Sequence, residues 1–223
     1  MWDDHGGGLR SLCFRQAERA MLRCVEVDLG GRSMVVGPIP QATPDDLAAT
    51  SPSWLVAPNQ YHNLGLRKWS AKHGSTMHAA PSALNRVRKV AKVDATALAE
   101  IPLPGHVSFL VPPGTKNGEV WVRVAGADGV TWIVGDAFFN VTPTTPNTFE
   151  GWFLSLSLGG PGLRIGQSFL WVALDDPRAY AYWVLDQLVA DKPSRLIPSH
   201  GEVIEGPELW SQLAALVRGR IGV

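Results

Sequence analysis

The chain has 223 residues, and 45% of them are hydrophobic, so it can bury a substantial core as a single domain. Its 20 basic and 20 acidic side chains cancel, and they form no long run of like charge. These features exclude the extended basic surface of a nucleic-acid-binding or membrane-surface protein. The expected partner is a small molecule or another protein, and a homo-oligomer stays open.

The N-terminal segment predicts little regular structure. Residues Met1–Arg10 include the triplet Gly6-Gly7-Gly8 among charged side chains, a composition typical of a loose tail or of an early start codon. We therefore expect an N-terminal extension over residues 1–20 and one domain over residues 21–223. The segment Cys13–Met21, if helical, would cover a subunit contact or pack on its own domain.

Two features of the sequence bear on the cellular compartment. The two cysteines, Cys13 and Cys24, favour free thiols in a reducing cytosol over a disulfide framework. No apolar run reaches the roughly 18 residues that span a bilayer, and the N-terminus lacks the pattern of a secretory signal. A soluble, cytoplasmic protein is the expectation.

The first half of the domain predicts a hairpin, a short helix and a strand–helix–strand crossover with parallel strands. Gly30-Gly31 marks the hairpin turn, and Thr43-Pro44-Asp45-Asp46 offers an N-cap, a proline at the first helical position and acids in the first turn. Pro58 stops one strand of the crossover, and Gly74 ends its helix. The predicted strands are 24–28, 33–36, 53–57 and 76–80, and the predicted helices begin near 44 and span 64–73.

The second half alternates helices with short strands. The turn Gly126-Ala127-Asp128-Gly129 joins two of these strands. Gly159-Gly160-Pro161-Gly162 is interpreted as a connection between helices, because proline stands where a phosphate-binding loop needs an N–H donor. The predicted strands are 107–111, 119–124, 130–134 and 195–198, and the predicted helices are 82–92, 96–100, 148–157, 178–190 and 207–218.

The order of these elements favours two sheets packed face to face with helices outside, because each β-rich block is followed by helices. Four short motifs lie where predicted strands end. Polar side chains at strand ends can converge on one point while the loops admit a substrate. The motifs are Pro58-Asn59-Gln60-Tyr61-His62-Asn63-Leu64-Gly65, Pro113-Gly114-Thr115-Lys116-Asn117-Gly118, Gly135-Asp136 and Ser199-His200-Gly201.

This order of motifs resembles the metallo-β-lactamase superfamily, over roughly Cys24 to Glu202. In that family the corresponding sequences are H-x-H-x-D-H, P-G-H-T-x-G, G-D and a histidine before glycine. The stretch Ala57-Pro58-Asn59-Gln60-Tyr61-His62 is similar to the A-P-N-x-x-H loop of a mostly bacterial branch. The resemblance implies an α/β fold, the αββα sandwich of metallo-β-lactamase type, with two mixed sheets face to face and helices outside.

The chain departs from the family at most of the metal ligands. Asparagine, tyrosine, leucine and threonine are poor zinc donors, so a dinuclear zinc centre is not expected. Only the aspartate and the last histidine remain, as Asp136 and His200. The resemblance places these substitutions at Asn59, Tyr61, Asn63 and Leu64 in the first motif and at Thr115 in the second.

His62 offers a third donor, one position beyond Tyr61. If His62 turns inward, it forms with Asp136 and His200 a set of two histidines and one carboxylate that can hold one metal ion. We expect no cofactor by default, and one zinc, manganese or iron ion is the alternative.

Structural roles compete with each of these candidates. Asp136 can accept backbone N–H bonds and His200 can donate to it, so that the pair holds two loops together without a metal. Asn59 can cap the helix that begins near Leu64. His78 at a strand end is a second-rank pocket candidate, and Lys116 would attract an anionic substrate or simply be solvated.

These features lead to two hypotheses on function. The first is a metallo-β-lactamase-fold protein that has lost most dinuclear zinc ligands and is non-catalytic or binds a ligand through hydrogen bonds. The second is a mononuclear metal-dependent hydrolase of a small ester, thioester, lactone or phosphoester. The candidate pocket residues are Asn59, Tyr61, His62, Asn63, Thr115, Lys116 and His78.

Overall fold

The structure is a computed structural model that describes residues 1–16, 19–141 and 162–223. Among these residues, seven strands form the first sheet in the spatial order β1-β2-β3-β4-β5-β6-β7. Strands β1 to β4 are antiparallel, and β4 to β7 are parallel. The strands are β1 (Trp2–Asp4), β2 (Leu9–Gln16), β3 (Arg19–Asp28), β4 (Ser33–Val36), β5 (Trp54–Ala57), β6 (Thr76–Ala79) and β7 (Ala95–Ala97).

The second sheet has the order β14-β13-β10-β9-β8 within the described residues, and β11 and β12 form a separate pair. Strands β10 and β13 are parallel, while their other neighbours are antiparallel. The strands are β8 (Val107–Leu110), β9 (Trp121–Gly126), β10 (Gly129–Val134), β11 (Phe138–Val141), β12 (Gly162–Ile165), β13 (Arg195–Pro198) and β14 (Ile204–Glu205).

Helices cover the outer face of each sheet. Successive side chains of β5 pack on opposite faces of the first sheet. Trp54 and Val56 face the core between the sheets, whereas Leu55 and Ala57 face the helices of the first half. The last two helices pack on the other face of the second sheet. The predicted αββα sandwich is therefore confirmed. The helices are α1 (Pro44–Ala48), α2 (Leu66–His73), α3 (Pro81–Ala91), α4 (Pro177–Asp191) and α5 (Leu209–Ile221), with shorter turns at Leu98–Glu100 and Phe169–Ala173.

Local sequence signals account for several element ends. Thr43 caps α1 through a capping box with Asp46, in which the Thr43 hydroxyl accepts from the Asp46 N–H at 3.2 Å. Gly74 ends α2 in the left-handed region at φ +68°. The hairpin of β3 and β4 and the parallel crossover from β5 to β6 also form as predicted. In the described part of the chain, no helix is both long and apolar enough to cross a membrane.

The prediction of a loose tail over Met1–Arg10 is wrong. The glycine triplet forms a turn with positive φ at Gly6, Gly7 and Gly8, and this turn joins β1 to β2 as an antiparallel pair. Trp2 anchors the hairpin, because its indole N–H donates to the Asp46 carbonyl at 3.0 Å and its ring packs edge-on against Trp69.

Four other expectations are wrong or concern residues outside the described ranges. The Cys13–Met21 segment belongs to β2 and β3 and is not helical in its described residues, and both cysteine thiols are free. Residues 96–100, predicted as a helix, form the end of β7 and a single tight turn, because β-branched Thr96 pairs with His78 in the sheet. Gly162 begins β12, whereas the predicted helix 148–157 and Gly159-Gly160-Pro161 lie outside the described residues.

Candidate metal centre

Three strand ends bring the donor loops together. Strand β5 ends at Ala57, immediately before the loop that carries His62. In the second sheet, β10 and β13 are parallel and in register, with Val134 opposite Pro198. Asp136 and His200, each two residues beyond those positions, therefore emerge at the same edge of the sheet.

The three side chains converge on one point. Nε2 of His62 lies 2.7 Å from Oδ1 of Asp136, and Nε2 of His200 lies 3.2 Å from that oxygen and 3.2 Å from Nε2 of His62. The side chains of His62, Asp136 and His200 are 12%, 18% and 27% exposed, so the cluster is mostly buried but retains some contact with solvent. Within the described residues, this is the one group of three donors close enough to share an ion.

Hydrogen bonds fix which ring nitrogen of each histidine carries the proton. Nδ1 of His200 lies 2.7 Å from the Met21 carbonyl oxygen, which can only accept, so Nδ1 must donate. In the neutral ring the lone pair of Nε2 then faces the cluster. Nε2 of His62, which contacts both the Asp136 carboxylate and that lone pair, must therefore carry a proton.

Charge and burial shift the pKa values of the pair in opposite directions. Burial alone would lower the pKa of His62, but the charge of Asp136 and its hydrogen bond outweigh burial and raise it above the ordinary 6.5. Burial would raise the pKa of Asp136, but the His62 charge, the hydrogen bond from His62 and the adjacent His200 imidazole hold it well below its usual range. The pair therefore favours an ionised carboxylate beside a histidine that retains its proton.

Asn59 links the first loop to this carboxylate. Its Oδ1 accepts from the backbone N–H groups of Tyr61 at 2.8 Å and His62 at 3.1 Å. Its Nδ2 donates to Oδ2 of Asp136 at 2.9 Å. The expectation that Asn59 caps the following helix is wrong: α2 begins at Leu66 without a side-chain cap, and Asn59 instead fixes the turn that carries His62.

Glu119, which belongs to none of the four sequence motifs, lies behind the cluster and is fully buried. Its Oε1 accepts from the Asp136 N–H at 2.9 Å, and its Oε2 accepts from Nδ2 of Asn59 at 3.0 Å. Burial and the nearby charge of Asp136 raise the pKa of Glu119, against the hydrogen bond from Asn59. An acidic residue directly before the apolar run Val120-Trp121-Val122 was the sequence signal that could have identified it.

The remaining residues of the first loop point away from the donors or into the protein. Tyr61 is 42% exposed, and the Arg86 guanidinium lies over its ring. Asn63 is buried, and its amide donates to the Gln60 carbonyl at 2.6 Å. Leu64 is 66% exposed.

The other predicted pocket residues have local partners. The Thr115 hydroxyl donates to the Pro112 carbonyl at 3.0 Å within its own turn, and Lys116 is exposed. His78 is buried in the first sheet. Its Nε2 contacts the Thr76 hydroxyl at 2.8 Å, and its Nδ1 lies 3.0 Å from both the Thr96 hydroxyl and the Ala97 carbonyl oxygen. It is a satisfied core histidine.

The donor set fits one metal ion. Two imidazole nitrogens and a carboxylate oxygen are borderline donors that suit zinc or iron. Around a tetrahedral ion with bonds of about 2.0 to 2.1 Å, neighbouring donors lie about 3.3 Å apart. The two 3.2 Å separations that involve His200 match this spacing, and the 2.7 Å contact between His62 and Asp136 needs to open by about half an ångström.

Sequence comparison finds neither a matching family model nor a similar curated protein. Solved structures, in contrast, match nearly the whole chain. A metallo-β-lactamase from Pontibacter korlensis is 11% identical with a TM-score of 0.64, covering 99% of both chains. The metallo-β-lactamase FIM-1 from Pseudomonas aeruginosa, solved in a mono-zinc form, is 14% identical with a TM-score of 0.61, covering 100% of this chain and 96% of that one.

A metallo-β-lactamase from Erythrobacter litoralis, with β-mercaptoethanol in its active site, is 13% identical with a TM-score of 0.64, covering 98% of this chain and 96% of that one. At these identities the likeness shows the fold alone. The resemblance predicted from the motifs is confirmed at that level, and this chain has the metallo-β-lactamase fold.

Proposed function

We propose that this metallo-β-lactamase-fold protein has lost most ligands of a dinuclear zinc centre and holds one ion through His62, Asp136 and His200. We further propose that it is a mononuclear metal-dependent hydrolase of a small ester, thioester, lactone or phosphoester. The observation that carries the proposal is the convergence of two imidazole nitrogens and a carboxylate oxygen to within 3.2 Å of one another, from three different strand ends.

The protein's own residues prepare such a site. Met21 holds the His200 ring with its Nε2 lone pair towards the cluster, which is the orientation a ligand needs. Asn59 holds Oδ2 of Asp136 and leaves Oδ1 for the shared point. His62 must release the proton on Nε2 before that nitrogen can bind an ion. A bound ion would polarise a substrate carbonyl or phosphoryl oxygen and lower the pKa of nearby water.

The first test is metal content. We expect protein treated with a chelator and then given zinc to retain about one ion per chain by elemental analysis, as the single donor set implies. His62→Ala and His200→Ala should both lose this ion. Hydrolysis of a panel of small esters, thioesters, lactones and phosphoesters should depend on the added ion. A wild-type chain that retains no zinc, manganese or iron would contradict the proposal.

A metal-free ligand-binding protein is the second candidate. The observation that favours it is the 2.7 Å hydrogen bond between His62 and Asp136, which satisfies both groups without an ion. In that case Asp136→Ala and His200→Ala would lower thermal stability, and added zinc would change neither the wild type nor the variants. Stabilisation of the wild type by zinc that both variants lose would exclude this candidate.

The raised pKa of His62 predicts opposite pH dependences for stability and metal affinity. In the metal-free protein, the stabilisation from protonated His62 is fully present below pH 6.5 and is lost as pH rises through the raised folded-state pKa. Zinc competes with that proton, so zinc affinity should rise over the same interval. Calorimetric titration in buffers of different ionisation enthalpy should detect proton release on binding. Zinc affinity that is independent of pH would contradict His62 as a ligand.

A further inference from the structure

Glu119 is a buried carboxylate that the proposed ligand set does not use. A carboxylate in an apolar interior is unfavourable unless hydrogen-bond donors surround it. Five N–H groups do so here. The donors are Nε1 of Trp121 at 3.2 Å, the backbone N–H groups of Asp136 at 2.9 Å and Ala137 at 3.3 Å, and the side-chain amides of Asn59 at 3.0 Å and Asn117 at 3.1 Å.

These donors come from both sheets. Oε1 of Glu119 accepts from the Asp136 and Ala137 N–H groups, in the turn that follows β10 of the second sheet. Oε2 accepts from Asn59, in the loop that follows β5 of the first sheet. Asn59 also contacts Oδ2 of Asp136 and, through its own carbonyl, the His62 N–H. Glu119 therefore joins the loop of one proposed ligand to the turn of another.

The backbone around Glu119 leaves room for this contact. A Cβ atom on Gly135 would lie 2.7 Å from Oε1 of Glu119, so a side chain at this position would push the carboxylate away from the Asp136 turn. The glycine that precedes Asp136 thus allows the close approach of the two acidic residues.

We propose that Glu119 is a positioning residue for the metal centre. Through Asn59 and the backbone of Asp136, it sets the orientation of the Asp136 carboxylate and the separation of Asp136 from His62. The inference rests on the proposed function, since it concerns the same site. A residue that only stabilised the fold would contribute to thermal stability without affecting how tightly the site binds an ion.

Glu119→Gln tests the link through Asn59 with the smallest change of shape. The new amide nitrogen cannot accept a hydrogen bond, so it is tolerated best at the Oε2 position, opposite Asn117. Among the described residues no donor reaches Oδ1 of Asn117. The Asn117 amide can therefore flip, so that its Oδ1 accepts from the new amide N–H of the glutamine. The Asn59 amide cannot flip without losing its bonds to Tyr61 and His62, so it loses its hydrogen bond to residue 119 and keeps only the one to Asp136.

We expect Glu119→Gln to weaken zinc binding about 10- to 100-fold, as changes to residues that orient metal ligands do. The visible absorption of the cobalt-substituted protein should change with it, because the band positions report ligand geometry. The matched control is Glu26→Gln. Glu26, in β3 of the first sheet, is also a buried glutamate, and it accepts from Ser33, Thr50 and Arg10. This control should lower the thermal midpoint and leave zinc affinity within about threefold of wild type.

Asn59→Ser provides the same test if Glu119→Gln does not fold. The serine hydroxyl can still accept from the following backbone N–H groups, but it cannot bridge the two carboxylates. We expect it also to weaken zinc binding and to shift the cobalt spectrum.

If Glu119→Gln has the zinc affinity and the cobalt spectrum of the wild type, the inference is wrong while the proposed function still stands. If Glu119→Gln does not fold, the same result in Asn59→Ser would overturn the inference. An equal loss of zinc affinity in Glu26→Gln would also overturn it, because affinity would then follow stability. A wild-type chain that binds no zinc would overturn the proposed function and this inference with it.

Discussion

Asp136→Asn is expected to reduce zinc affinity by about 100- to 1000-fold. Four-ligand zinc sites bind with about 10 to 16 kcal/mol, so one ligand contributes roughly 2.5 to 4 kcal/mol, and each 1.4 kcal/mol is a factor of about ten. The asparagine keeps the shape of Asp136 and can still accept from His62, but it lacks the charge that the ion requires. Calorimetric titration of metal-free protein with zinc measures the change directly.

The same substitution should lower the thermal midpoint of the metal-free protein, because His62 loses the charge that raises its pKa. Asp191→Asn is the matched control. Asp191 is a buried aspartate that accepts from Arg123 at 2.7 Å and from Trp132 at 2.9 Å, in the same half of the fold. It should cost stability without weakening zinc binding. If Asp136→Asn binds zinc as tightly as the wild type, Asp136 is not a ligand.

Most elements could be predicted because their signals are local. The capping box at Thr43, the glycine turn between β3 and β4 and the glycine that ends α2 each act within a few residues. The N-terminal hairpin of β1 and β2 could not be predicted, because the contact that stabilises it is not local. The composition of Gly6-Gly7-Gly8 indicates a flexible segment, but these residues form a turn with positive φ angles. Trp2 stabilises the hairpin by packing against a distant helix. Nothing local to that segment indicates the contact.

The candidate site was predictable only in part. Asp136 and His200 could be placed at one sheet edge from their positions after predicted strands, and the structure brings His62 to them. The partners of Asn59 could not be predicted, because Glu119 and Asp136 are 60 and 77 residues away and approach through the packing of two sheets. A sequence shows that a buried glutamate needs hydrogen-bond donors, but only the packing shows that these donors lie in the loops of the proposed ligands.

Gly201→Ala should cause a large loss of stability. Gly201 has φ +91°, and a Cβ atom there would lie 2.0 Å from the carbonyl oxygen of Asn140 in β11. That oxygen accepts from the Glu202 N–H at 2.8 Å, so the loop cannot move away without breaking the bond. Left-handed backbone costs about 1 to 2 kcal/mol for alanine, and overpacking adds about 1 to 3. For a domain of this size the thermal midpoint should fall by about 5 to 15 °C.

Gly219→Ala separates this effect from a general response to alanine. Gly219 is exposed in α5, and nothing lies within 4 Å of a Cβ atom there, so alanine should stabilise the helix by about 0.5 to 1 kcal/mol. Gly201→Ala should also weaken zinc binding, because displacement of its loop moves the adjacent His200 away from His62 and Asp136. Differential scanning calorimetry and zinc titration of both variants check these opposite outcomes. An unchanged thermal midpoint in Gly201→Ala would mean that this loop does not pack closely on β11 in solution. The contacts with β11 would then not hold His200 in position.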